Sequence, residues 1–165
     1  MRTEIVRAAS ATFAANRAQG AVRFAVRLRD GVTRRGDLHE SGSLRVRFPS
    51  PEAEGLSGVF INTAGGIAGG DHFEIDITAG AGSRLTLTTA AAEKVYRAPG
   101  PAAQLDIALK ADAGARLAWL PQETILFDRA RISRRIDIDL AADASLLLCE
   151  IVVFGRGAMG EKMLH

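Results

Sequence analysis

From residue 22 the chain alternates apolar and polar positions with a period of two. In "VRFAVRLR", Val22, Phe24, Val26 and Leu28 fall on one side, and Arg23, Ala25, Arg27 and Arg29 on the other. Neighbouring side chains of a strand point to opposite faces, so the spacing predicts a strand with one buried and one basic face. Leu44, Val46 and Phe48 repeat the pattern, with Arg45 and Arg47 opposite. These arginines read either as the wet side of an antiparallel sheet or as a docking surface for an acidic partner.

Further along, the chain repeats itself. "FEIDITAGAGSRLTL" (73–87), "LDIALKADAGARLAW" (105–119) and "IDIDLAADASLLL" (136–148) each read as strand, tight turn, strand. Phe73 aligns with Leu105 and Ile136, and Leu85 with Leu117 and Leu146. Ile77, Leu109 and Leu140 align at intervals of 32 and 31 residues. Such a unit cannot bury its apolar face alone, so copies must stack on one another. The inserts "TTAAAEKVYRAPGPAAQ" and "LPQETILFDRARISRR" carry Pro99, Pro101 and Pro121. They are expected at corners, edges or crossings between sheets. Helix is expected at most in residues 1–20 and around 89–95. The fold class is therefore all-β, with stacked antiparallel sheets forming a superhelical, solenoid-like body. Residues 1–20 read as a tail or short helix and 21–165 as a single β domain.

Composition narrows the classes. The 165 residues make one domain, and 47% hydrophobic with 24% charged residues is ordinary for a soluble protein. A net charge of +2 gives no argument for nucleic acid. The one cysteine, Cys149, sits in "LLLCEIVVF" and reads as a buried, inert thiol in a reducing compartment. No apolar run approaches the ~18 residues of a membrane span, and the N-terminus lacks the apolar core of a secretory signal. A cytoplasmic protein with no membrane or nucleic-acid partner is expected.

The candidate chemistry centres on "NTAGGIAGGD" (62–71), with four glycines between positions 65 and 70. A dinucleotide fingerprint needs a helix after the glycines to hold the pyrophosphate. Here "DHFEIDIT" alternates as a strand, and Asp71 would repel phosphate. The loop instead reads as a turn with glycines at positive φ or in close backbone contact, fixing Asp71 in place. His39, His72 and His165 are scattered and show no structural zinc spacing. No Ser-His-Asp set stands out; Glu123 and Asp128, five residues apart, are too common a pair to argue glycosidase chemistry, and Glu123 reads as a polar corner residue. "GRGAMGE" (155–161) reads as a solvent turn with an Arg156–Glu161 ion pair, or as a second glycine-shaped site holding an acid.

Four segments in register, "INTAGGIAGGD", "TTAAAEKVYRAPG", "GARLAWLPQETILFDRARI" and "FGRGAMGE", resemble the urease accessory protein family UreD, also called UreH. The likeness spans about residues 20 to 162. It implies a non-enzymatic chaperone with an all-β superhelical fold. It also implies urease apoprotein and UreF as partners, with the GTPase UreG recruited through UreF. No tightly bound cofactor is expected, only Ni²⁺ in passage through the interior toward urease. On the matching motifs, Asp71 and Glu161 are expected to line the ion's route. Lys94, Tyr96, Arg97 and Arg156 match signature positions to which no role is assigned. Ala90 and Ala68 stand where many relatives have Gln and Val. Family members continue beyond Glu161, so the chain is expected to lack a C-terminal part. A carbohydrate-binding β-solenoid module and a nucleotide-using enzyme remain the alternatives.

Overall fold

The computed structural model describes residues 16–49 and 55–161. The strands are β1 (Gln19–Arg29), β2 (Val32–Gly42), β3 (Leu44–Arg47), β4 (Leu56–Asn62), β5 (His72–Ala79), β6 (Arg84–Thr89) and β7 (Glu93–Val95). They continue with β8 (Ala103–Ala111), β9 (Arg116–Trp119), β10 (Thr124–Leu126), β11 (Ile132–Leu140), β12 (Ser145–Leu148) and β13 (Val152–Phe154). One 3-10 turn, Gly157–Met159, follows. Among the described residues there is no α-helix, and 89–95 holds the strand β7 rather than the expected helix. The other expected helix, within 1–20, falls mostly outside the described residues.

The chain winds as a β-helix. Each turn contributes one strand to each of three sheets, ordered β11-β8-β5-β1-β2, β12-β9-β6-β4-β3 and β13-β10-β7. The all-β, stacked reading holds, but the expected antiparallel pairing does not. Every strand of one turn runs parallel to its counterpart in the next. The cause is the repeat itself: a chain that returns to the same side after each turn crosses it in the same direction. Among the described strands only β1–β2 and β3–β4 pair antiparallel, and they close the first turn. The β1–β2 turn is Asp30-Gly31 with φ of 52° and 75°, the paired positive values that suit the twist of a tight hairpin.

Register corrects the third copy of the repeat. Phe73 faces Leu105 and Ile77 faces Leu109, as the sequence pattern suggests. Leu105, however, faces Arg134, and Ile136 faces Ile107. The first strand of the third copy thus sits two residues away from its sequence alignment, while Leu146 does face Leu117. A shift of two keeps every side chain on the same face, so alternation alone could not detect it.

The inserts also differ from expectation. Expected at corners, edges or crossings, each also carries the third strand of its turn, β7 at the edge of the third sheet in one and β10 in its middle in the other. The core runs along the axis inside the three sheets. Val22, Phe73, Ile77, Leu87, Ile107, Leu109, Leu117 and Trp119 are all buried there. At about 1.5–3 kcal/mol for each large apolar side chain removed from water, this stack carries the stability of the body. The final turn is different. Ile138, Leu147, Ile151, Val152 and Phe154 are exposed, and Cys149, expected to be buried, is exposed beside them. Its strands β11, β12 and β13 have no further neighbour among the described residues.

Candidate functional site

The glycine loop enters β5 directly at His72, without a helix between. Its middle residue Ile67 bridges Val95 in parallel. The Ile67 amide donates to the Lys94 carbonyl at 2.7 Å, and its carbonyl accepts from the Tyr96 amide at 2.8 Å. Ile67 therefore stands one turn ahead of β7, as a one-residue third side of the first turn. The flanking glycines let the backbone make that side in so few residues. Gly66 has φ of 147°, and a Cβ there would lie 2.4 Å from Tyr96 Cε2. Gly69 needs no positive φ but has no room: a Cβ would meet Ala98 Cβ and the Pro101 carbonyl at 2.6 Å each.

Asp71 is buried, 4% exposed. Its Oδ1 accepts from the Ala18 amide at 2.8 Å, and its Oδ2 from the Ala68 amide at 2.7 Å. The carboxylate clips the chain leading into β1 to the glycine loop. Arg17 adds a hydrogen bond from Nη1 to the Gly69 carbonyl at 3.0 Å. The sequence expectation that the loop fixes this acid is met, and the fixing groups are backbone amides.

Glu161 is held at the other end of the chain. Its Oε2 accepts from the Arg156 amide at 2.8 Å, and its Oε1 pairs with the Arg156 guanidinium. The hydrogen bond from Arg156 holds the Glu161 carboxyl below its ordinary range, and the same contact raises the Arg156 guanidinium. Arg156 Cζ lies 4.0 Å from the centre of the Phe127 ring. Phe127 meets Tyr96 edge-on at 5.2 Å, and the Tyr96 hydroxyl donates to the Gly65 carbonyl at 2.9 Å. A contact chain thus joins Glu161 to the glycine loop through two residues, Tyr96 and Arg156, that the sequence left without a role. Lys94 and Arg97 are exposed, and Arg97 bridges Ala130. Asp71 and Glu161 have separate partners. No group of three or more His, Cys, Asp or Glu side chains is placed to hold a metal ion among the described residues.

A hollow of about 320 Å³ lies inside the sheets, at the lower end of the size of small-ligand sites. Phe60, Ile67, Phe73, Leu105, Ile107 and Trp119 give it apolar walls, while Asn62, Glu93, Gln122, Thr124 and Arg134 bring polar groups to one region of it. Neither Asp71 nor Glu161 lines it. Asn62 Nδ2 donates to the Gly66 carbonyl at 3.1 Å and reaches both Glu93 carboxyl oxygens at 3.4 Å. Burial pushes the Glu93 carboxyl up, against the opposing pull of the Asn62 hydrogen bond and the Arg134 charge. Burial likewise lowers the Arg134 guanidinium, against the attraction of Glu150 and Glu93. Arg134 Nη2 pairs with Glu150 Oε1, which also accepts from Trp119 Nε1 at 3.1 Å. Arg134 Nε is buried and has no hydrogen-bond partner among the described residues.

Sequence reasoning passed over Glu93 and Arg134, although a signal existed for both. Each stands at an apolar position of an alternating strand: Arg134 in phase with Ile132 and Ile136, and Glu93 in phase with Val95. Starting the third copy at Ile136 cut Arg134 out of the repeat. A carbohydrate-binding module needs exposed aromatic rings, and Trp119, the chain's one tryptophan, is 2% exposed.

The sequence model of the UreD urease accessory protein family matches residues 18–165. The chain is 75% identical, over 163 residues, to urease accessory protein UreD 3 of Bradyrhizobium sp. strain BTAi1, covering 99% of this chain and 59% of that protein. It is also 75% identical to urease accessory protein UreD of Bradyrhizobium diazoefficiens, with the same coverage of 99% and 59%. It is 76% identical over 162 residues to the UreD protein of Rhodopseudomonas palustris strain BisB18, covering 98% of this chain and 58% of that protein. The chain spans about three fifths of the length of these curated relatives. By the match across nearly its whole length, the chain belongs to the UreD family of urease accessory proteins.

Proposed function

We propose that the chain acts without catalysis in urease maturation, as a rigid scaffold and interior conduit that passes Ni²⁺ toward urease apoprotein together with UreF and UreG. The observation that carries this reading is the family match over residues 18–165, joined to a β-helical body with a partly polar hollow inside it. A continuous parallel ladder makes a body that deforms little, which suits a part that must hold a path between two partners.

Asp71 and Glu161 are proposed as contacts on the ion's route. For either acid, meeting the ion means giving up hydrogen bonds already made, to two amides for Asp71 and to Arg156 for Glu161. Such contacts are weak by construction, and a weak contact releases its ion. The test is a reconstitution in which urease apoprotein is captured with UreF, supplied with UreG, GTP and Ni²⁺, and assayed for bound nickel. Asp71→Asn and Glu161→Gln, compared at equal folded protein, are expected to lower loading. Unchanged loading in both removes these acids from the route, and failure of the unaltered chain to capture urease apoprotein removes the maturation role.

A further inference from the structure

We infer that the outward face of the β1–β2 hairpin, built on Arg27, Arg29 and Arg34, is a docking surface for an extended acidic segment of a partner protein. The inference stands apart from the ion's route and uses none of the residues placed on it.

The first support is an arrangement that folding alone does not favour. Arg27 and Arg34 face each other directly across the β1–β2 pair. Like charges in that position are destabilising. Phe24 faces Leu38 while Val26 faces Arg35, so Gly36 and Asp37 together stand opposite Ala25. This β-bulge sets the phase in which Arg34 joins Arg27 on the outward face. Arg35 falls on the other face, where its guanidinium lies 5.4 Å from the centre of the Phe48 ring. A charge on an edge strand also deters stray pairing, and β2 is such an edge. That accounts for Arg34 but not for Arg27 and Arg29, because β1 lies between β2 and β5.

The second support is free charge. Other outward arginines meet acids: Arg23 with Asp76 at 2.9 Å, Arg47 with Glu40 at 3.0 Å and Arg135 with Asp137 at 2.9 Å. Among the described residues no carboxylate pairs with Arg27, Arg29 or Arg34, and all three are exposed. Together with Asp30, Arg35 and Gly36 they line a cleft of about 340 Å³. Three guanidiniums against the single carboxylate of Asp30 leave two net positive charges, Arg35 aside. The other facing pair, Arg84 and Arg116, differs because Arg84 has a partner of its own.

The third support is shape. Arg27 and Arg29 are alternate residues of one strand and stand about 7 Å apart on its face. An extended peptide repeats its own alternate side chains at the same step. Acids at every second position therefore meet successive guanidiniums, each of which can grip a carboxylate with two parallel hydrogen bonds. Broader polyanions fit less well. A nucleic acid or an anionic membrane reaching from the hairpin across the sheet would meet Glu74, Asp76, Asp106 and Asp139 on the same outer face.

The experiment follows the fluorescence anisotropy of a labelled peptide, four glutamates alternating with serines, as the full chain is added at low and at physiological salt. Arg27→Gln with Arg34→Gln is expected to weaken binding about tenfold, and Arg29→Gln about threefold. Arg84→Gln with Arg116→Gln removes the same charge from the second sheet and is expected to leave binding within about twofold. A peptide of the same composition with its glutamates contiguous points half of them away and is expected to bind about threefold more weakly. Urea midpoints make the test independent of folding: the hairpin double variant should be at least as stable as the unaltered protein, since it relieves the facing charges. An unaltered chain that does not bind the alternating peptide overturns the inference, as do equal losses in the two double variants. A hairpin double variant that loses stability shows that these arginines serve the fold, and overturns it as well. Equal binding of the two peptides overturns the extended geometry. Tighter binding of a single-stranded DNA oligomer or of phosphatidylglycerol vesicles, lost in the hairpin variant, overturns the assignment to a protein segment.

Discussion

Removal of the Asp71 carboxylate tests the account of the glycine loop most directly. Asp71→Ala leaves the amides of Ala18 and Ala68 without their acceptor, while the backbone bonds of Asp71 to Ala68 and Gln104 stay in place. The substitution therefore isolates the side chain. Both bonds are part-buried, so each donor left unsatisfied costs at most about 1–3 kcal/mol, and the pair sets an upper bound of about 2–6 kcal/mol. Against a typical total of about 5–15 kcal/mol, this is a large fraction of the stability. With a urea dependence of about 2 kcal/mol per molar, the midpoint should fall by up to about 1–3 M. Asp71→Asn keeps one accepting oxygen and turns an NH₂ toward the other amide, so its loss should be smaller. Trp119, the one tryptophan and 2% exposed, supplies the fluorescence signal of core opening. Amide exchange at Ala18 and Ala68 reports the clip itself. Midpoints of both variants within about 0.3 M of the unaltered protein, with those two amides still protected, would refute the reasoning.

Gly66→Ala should cost on the order of 1 kcal/mol or more, since its methyl would lie 2.4 Å from Tyr96 Cε2 at a positive φ; loss of the Tyr96–Gly65 contact by NMR and a lower urea midpoint are the readouts. The two perturbed glutamates predict opposite pH responses around their ordinary value of 4.5. The Glu93 carboxyl is raised, so between 4.5 and its folded value the folded state holds more protons and stability falls as pH rises. The Glu161 carboxyl is lowered, so between its folded value and 4.5 the unfolded state holds more protons and stability falls as pH drops. Stability curves of Glu93→Gln and Glu161→Gln against pH should each lose one of these slopes; a curve identical to that of the unaltered protein refutes the assignment for that residue. Leu147→Lys with Phe154→Lys, at side chains 60% and 69% exposed on the final turn, should leave the urea midpoint unchanged and reduce self-association in light scattering.

How far the fold could be read from the chain depended on what alternation can and cannot encode. Period two gave the strands and their inner faces, because burial of one face writes itself into every second residue. Val22, Phe24, Phe73, Ile77, Leu105 and Leu109 were all legible in this way. Strand direction left no such trace. A parallel and an antiparallel neighbour bury the same residues, and only the repeat interval carried the information that each strand meets its own counterpart. The two-residue slip of β11 was hidden for the same reason. The third sheet was hidden by brevity: β7 and β10 have three residues each, too short for a period to show.

The site shows the reverse imbalance. The glycine motifs announced where the backbone is constrained, and they correctly located two acids held at fixed places. Those acids are satisfied by the groups that fix them, Asp71 by two amides and Glu161 by Arg156. An acid whose hydrogen bonds are complete is a structural part first, and it meets an ion only by exchange. Open chemistry lies where the pattern is violated. Glu93 and Arg134 occupy inward positions that Val, Ile or Leu would fill elsewhere in the helix, and both carry a cost of burial that their partners only partly offset. A β-helix tolerates such a cost in its axis only where the hollow admits water or a ligand. For this body, then, a charge in the phase of the core marks incompletely satisfied polar chemistry better than a conspicuous loop does. Exchanging the three charges together, Glu93→Leu, Arg134→Leu and Glu150→Gln, leaves no partner unpaired and should raise the urea midpoint. A triple variant that loses stability would show that these charges are there to hold the fold.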